Sequence, residues 1–163
     1  MNELENIDNI NIDDLYNRIV TLVENAKRNV ATKVNDEMTL LYWNIGKDIT
    51  DNVLNNQKAE YGKAVIKKLS QKLTLEYGRG YSRANLFRML KFYEYFSDPE
   101  EFSTLSRKLS WSHFVELLQV QDKVKREFYA TMCSNEYWSV RTLRERIGSA
   151  LFEQQYLKSQ RKQ

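Results

Sequence analysis

Turn-forming and reactive residues are scarce in this chain. One proline and five glycines among 163 residues are too few for an all-β fold or alternating βα units, whose many connections draw on such residues. Cys133 is the only cysteine, which excludes an internal disulfide and a thiolate metal cluster and suits a reducing compartment. His113 is the only histidine, so it has no second imidazole with which to share a metal. No glycine loop of the phosphate-cradling kind occurs. No apolar run approaches the roughly 18 residues that span a bilayer. The opening MNELENIDNINIDDL is acidic and lacks the basic region and apolar core of a signal peptide. The expected location is cytoplasmic, with no membrane partner and no cofactor or metal.

What the chain does have is charge, unevenly spread. Residues 1–60 hold 6 Lys/Arg and 11 Asp/Glu, a balance of −5, whereas residues 61–163 hold 19 and 11, a balance of +8. Within residues 61–91 eight basic side chains face one acid, Glu76, giving +7. Clustering of this kind is the footprint of a polyanion-binding face, although a solvated helix surface also carries lysine and arginine.

The apolar pattern is helical throughout. Leu15, Ile19, Leu22, Ala26, Val30, Val34, Met38, Leu41, Ile45, Ile49 and Val53 recur at steps of three or four, so one long helix, or two joined near Asn35–Glu37, is expected. A helix of about 40 residues extends roughly 60 Å, more than a small domain is wide. Part of its stripe then packs on a partner, or the helix bends around its own domain. The polar stretch Asn55–Glu60 should end it. A second helix is expected over Lys63–Tyr77, with Ile66, Leu69 and Leu73 inward and Gly78-Arg79-Gly80 as its left-handed stop.

Three further helices begin with one local grammar: an apolar residue, a serine, three residues and another apolar residue. Tyr81-Ser82…Leu86, Leu109-Ser110…Phe114 and Trp138-Ser139…Leu143 all fit. The serine hydroxyl accepts from a free amide of the first turn, and the apolar pair staples the entry angle. One more helix is expected over Val124–Ser134. The fold class is all-α: residues 13–157 form a helical domain between a flexible N-terminus, residues 1–12, and a flexible basic tail, residues 158–163.

A helix, a short glycine turn and a second helix opening with Arg and Asn is how a helix-turn-helix reads. In that unit the start of the second helix meets base edges and the first helix crosses the phosphate backbone. Leu86, Leu90 and Tyr93 make the buried stripe, which leaves Arg83, Asn85, Arg88 and Lys91 outside. Arginine grips guanine and asparagine grips adenine through paired hydrogen bonds. Arg79, Ser82 and the free amides of the helix start suit phosphate oxygens, and Lys63, Lys67 and Lys68 add backbone contacts. Phe87, Phe92, Tyr95 and Phe96 are assigned to the core rather than to base stacking.

The succession EYGKAVIKKLSQKL, EYGRGYSRANLFRMLKFYEYF, LSRKLSWSHFVELL, REFYATM and EYWSVRTLRERIGSALFEQ resembles the N-terminal helical domain of the YhcG-type nucleases, over about Leu15–Tyr156. By position the shared elements fall on Gly80, Tyr81, Ser82, Asn85 and Leu86; on Trp111, Ser112 and His113; and on Trp138, Ser139, Arg141 and Leu143. Tyr81 stands where phenylalanine is common. The resemblance implies a DNA-binding region that works with a PD-(D/E)xK nuclease domain, in cis or in trans.

That nuclease site needs two acids and a lysine on a strand-rich core. No lysine of this chain has an acid two positions before it, and the lone proline lies in Ser97-Asp98-Pro99-Glu100, a loop with no strand pattern around it. The expectation is that these residues do not catalyse. His113 is read as a cap or core group and Cys133 as a buried, inert thiol. Two functions remain: a DNA-binding module that positions a nuclease domain, and an interaction or homodimerisation module acting through the long helix. RNA binding ranks lower, because no aromatic strand surface of the RNA-recognition type is evident.

Overall fold

The computed structural model describes residues 12–54 and 59–161. Eight α-helices and no strands occur among the described residues: α1 Ile12–Ile49, α2 Ala59–Tyr77, α3 Arg83–Tyr95, α4 Pro99–Ser106, α5 Trp111–Leu117, α6 Lys123–Glu136, α7 Val140–Gly148 and α8 Leu151–Arg161. The all-α class and the long first helix, 38 residues, match the expectation from sequence. Helical structure continues through Asn35–Glu37 and ends in a π-helical turn, Thr50–Leu54.

The chain divides into two compact units, Met1–Asn35 and Asp36–Gln163. In the first, the side chains from Tyr16 to Val34 are all exposed, including Leu22 at 67% and Val30 at 63%. An apolar stripe at helical spacing therefore lies open to solvent along α1.

The second unit holds the core, in two clusters that meet on α3. Phe92 and Phe96 join Trp43, Phe102, Phe114, Tyr129 and Leu143 in one. Leu86, Met89 and Leu90 join Ile49 and Ile66 in the other, with Leu69, Leu73 and Tyr81 against it. A helix buried on two sides keeps only a narrow outer strip, which is why α3 presents so few side chains to solvent. Its seating on α1 is close. A Cβ added to Gly46 would lie 2.1 Å from the Met89 carbonyl oxygen, so only glycine allows the two backbones this approach. The Trp43 indole N–H donates to the Phe96 carbonyl at 2.9 Å, with the Trp43 ring stacked on Phe102.

All three serine caps form as expected. Ser82 accepts from the Asn85 amide, Ser110 from His113 and Ser139 from Thr142. Each apolar pair shares a cluster: Tyr81 with Leu86, Leu109 with Phe114, Trp138 with Leu143. His113 completes a capping box, its Nδ1 accepting from the Ser110 amide at 3.0 Å. Its Nε2 donates to the Trp138 carbonyl at 2.8 Å, tying the start of α5 to the start of α7. The carbonyl can only accept, so this contact fixes the hydrogen on Nε2.

Several boundaries differ from the sequence reading. α2 starts at Ala59 with Gly62 buried inside it; of the polar stretch Asn55–Glu60, residues 55–58 lie outside the described residues. Ser97–Glu100 is not a simple loop: Asp98 accepts from the Glu100 amide and caps α4, with Pro99 at a position that needs no amide hydrogen. α6 runs from Lys123 to Glu136, capped by Asp122. The tail expected to be flexible from Lys158 is helical to Arg161; Lys162 and Gln163 lie outside the described residues, as do residues 1–11 of the N-terminus expected to be flexible.

Candidate nucleic-acid interface

The unit that carries the basic cluster is α2, a tight turn and α3. Gly78 supplies the turn with φ 90° and ψ −165°, an extended left-side conformation rather than the left-handed helical stop expected. Gly80 has no positive φ and belongs to the 3₁₀ turn Arg79–Tyr81. Two hydroxyls of α2 hold that turn by its Tyr81 carbonyl: Ser70 Oγ donates at 3.0 Å and Thr74 Oγ1 at 3.3 Å. The start of α3 is thus bolted to α2, and Ser82 then caps it.

Seven cations of the cluster are exposed: Lys63, Lys67, Lys68 and Lys72 on α2, Arg79 in the turn, and Arg83 and Arg88 on α3. Lys91 is half-buried, with Nζ 5.3 Å from the centre of the Tyr95 ring. None of the eight forms an ion pair among the described residues. Their charge is therefore available to a ligand rather than neutralised by the protein's own acids. Lys72, not singled out in sequence, belongs with them.

Asn85 is committed differently. Its Nδ2 donates to the Arg79 carbonyl at 3.4 Å and its Oδ1 accepts from Arg88 at 2.9 Å. In this conformation the amide clasps the turn and aims the Arg88 guanidinium. Ser82 Oγ is likewise occupied at the helix start. Arg79 and Arg83 carry no such engagement of their side chains among the described residues. Beside them a groove of about 770 Å³ runs between α2 and α3, lined by Ser70, Gln71, Thr74, Leu75, Ser82, Arg83 and Ala84.

The aromatics divide. Phe92 and Phe96 are core, and Tyr95 is half-buried under Arg126, whose guanidinium lies 3.7 Å from the ring centre. Phe87 contradicts its assignment to the core. It is 40% exposed, because the buried face of α3 is taken by Leu86, Met89 and Leu90 and leaves position 87 turned outward. Its spacing of four from Arg83 was the available signal.

The acids collect elsewhere. Asp98, Glu100, Glu101 and Glu127 line a cavity of about 430 Å³, where burial and then the neighbouring Glu127 and Asp98 raise the Glu101 carboxyl above its ordinary range. Such a surface repels a polyanion. The remaining reactive groups are structural. Cys133 is 1% exposed, burial pushes its thiol up to about 11, and its sulfur lies 3.6 Å from the Trp138 carbonyl that also receives His113. Both groups donate to one acceptor, so they do not form a nucleophile and base. Arg141 pairs with Glu145 at 3.2 Å, and Trp111 packs on Tyr42 and Phe92. Among the described residues no helix is long and apolar enough to cross a membrane.

The family model described as the DUF1016 N-terminal domain matches residues 18–154. The chain belongs to this family. The chain is also 30% identical, over 173 aligned positions, to the Escherichia coli (strain K12) protein named "Putative nuclease YhcG". That alignment covers 88% of the chain and 46% of the relative, so the domain spans about half of that relative's length. No solved structure matches it. The YhcG-type resemblance read from the motifs is thereby established, and with it a relation to the protein named "Putative nuclease YhcG".

Proposed function

We propose that the domain binds DNA through α2, the Gly78 turn and the start of α3, and so positions a nuclease domain supplied in cis or in trans. One observation carries this reading: the eight cations clustered in residues 61–91 have no carboxylate partner among the described residues. Arg79, Arg83 and the exposed Lys63 and Lys67 meet phosphates, while Arg83 and Arg88 flank the outer strip of α3 that faces the bases. Lys68, Lys72 and Lys91 extend the field, and Ser82 and Asn85 hold the helix start in place. The half-length match to a relative named "Putative nuclease YhcG" supports a module that works beside a catalytic part.

Fluorescence anisotropy with a 24-base-pair duplex tests this. Neutralising about six phosphates gives a slope near −5 in log affinity against log salt, and the double variant Arg83→Ala/Arg88→Ala should flatten it by about two. Lys67→Ala should weaken all sequences alike. Salt-independent binding, or a double variant that binds like the parent, rejects the proposal.

A second reading rests on a different observation, the exposed stripe of α1. Tyr16, Ile19, Leu22, Val23, Val30 and Val34 are 45–67% exposed at helical spacing. A row of this length fits self-association, which would present two basic faces to a palindromic site. Leu22→Asp with Val30→Asp should convert a dimer to a monomer in sedimentation; a monomeric parent rejects the reading. Deleting residues 1–59 is a poor test, because Trp43 and Ile49 belong to the core.

A further inference from the structure

Cations explain only the rim of this face. Within it lie three apolar side chains that a phosphate cannot use. Leu75 is 91% exposed, the highest value among the large hydrophobics of the described residues, and lines the groove opposite Arg83 and Ala84. Ala84 is exposed, and Phe87, three residues on, is 40% exposed on the same strip of α3. Lys72 precedes Leu75 by three residues on α2, and Arg83 and Arg88 flank Phe87, so the apolar strip is fenced by positive charge. Core packing accounts for none of the three, since none of them belongs to either core cluster.

We infer that this strip reads thymine methyl groups in the major groove of duplex DNA, which makes the ligand a duplex rich in A·T pairs. The inference rests on the DNA-binding reading above. Its chemistry is specific. The C5 methyl of thymine is the apolar group that the major-groove floor offers, and alanine and phenylalanine are suited to contact it. The surrounding cations fix the ligand as a polyanion and bring the strip against the groove. Phe87 reaches the base edges from the second turn of α3, Ala84 allows close approach at the first turn, and Leu75 approaches from α2 across the groove mouth. An unpaired strand is the poorer fit, because α3 is bolted to α2 through Ser70, Thr74 and the Tyr81 carbonyl in the arrangement that enters a groove as a unit.

The test uses the full chain and three 24-mers: alternating dA-dT duplex, alternating dA-dU duplex, and a single-stranded dT oligomer. The first two differ only in the methyl groups. Burying one methyl is worth about fourfold in affinity, so loss of two contacted methyls should weaken binding by about fifteenfold. Phe87→Ala should narrow the preference for dA-dT over dA-dU by about fourfold, the share of one methyl contact, with circular dichroism confirming the fold. Equal affinity for the two duplexes, both weakened by Arg83→Ala/Arg88→Ala, overturns the methyl reading and leaves DNA binding standing. Tighter binding to the single strand than to either duplex also overturns it. Binding to none of the three overturns both.

Discussion

Gly46→Ala is the sharpest test of how α3 is held. Two effects oppose each other at this position. Removing a glycine from a helix interior favours folding by about 1 kcal/mol. Against that, the new Cβ would stand 2.1 Å from the Met89 oxygen and 2.8 Å from its carbonyl carbon, where ordinary contact begins at 3.4 Å. Relief requires α1 and α3 to separate by about 1.3 Å, and backbone cannot rotate aside as a side chain can. Overpacking of a core costs about 1–3 kcal/mol and occasionally more, with this case at the upper end because the obstacle is main chain. The net expectation is a loss of about 2 kcal/mol, or roughly 4–8 °C in melting temperature for a chain of this size. Gly148→Ala is the control, with nothing within 4 Å of its added Cβ, and should be neutral or slightly stabilising. Thermal and urea unfolding of both variants beside the parent measure this. A Gly46→Ala protein that melts at or above the parent temperature would refute the close seating of α3.

Other consequences follow from the same structure. His113→Ala removes both the capping-box acceptor and the donor to Trp138, and should cost about 1–3 kcal/mol in urea unfolding. Trp43→Phe leaves the Phe96 carbonyl without its donor and should lower stability by about 1–3 kcal/mol, while Phe102 keeps its ring partner. Cys133 should resist a thiol reagent at pH 8 in the native state and react on unfolding. Because burial lifts its thiol from 9.0 to about 11, the native state holds that proton longer than the unfolded chain does. This contribution to unfolding free energy should therefore fall as pH rises from about 9 to 11, and Cys133→Ala should remove that part of the slope.

Local signals carried well from sequence to structure, and tertiary ones did not. The serines at 82, 110 and 139 were legible because a cap involves only the next three residues. Asp98-Pro99 carries an equally good local signal for α4, an acidic cap followed by proline, in a stretch with no strand pattern around it. Gly46 gives no sign in sequence, since the approach of Met89 comes from a residue 43 positions away. Phe87 was misassigned for a related reason: its hydrophobicity argues for burial, while the two clusters that flank α3 had already used the inward positions. The basic cluster was visible as composition, but its freedom from carboxylates required knowing where Glu76 and Glu94 do not reach.

The central claim is that DNA lies against α2, the Gly78 turn and α3. Hydrogen exchange of the full chain, with and without a saturating 24-base-pair A·T-rich duplex, maps that contact directly. The account predicts slowed exchange gathered within residues 61–91, strongest from Arg79 to Arg88, and unchanged exchange at the acidic cavity of Asp98, Glu101 and Glu127. Protection confined to residues 16–34, or found at the acidic cavity instead, would contradict it.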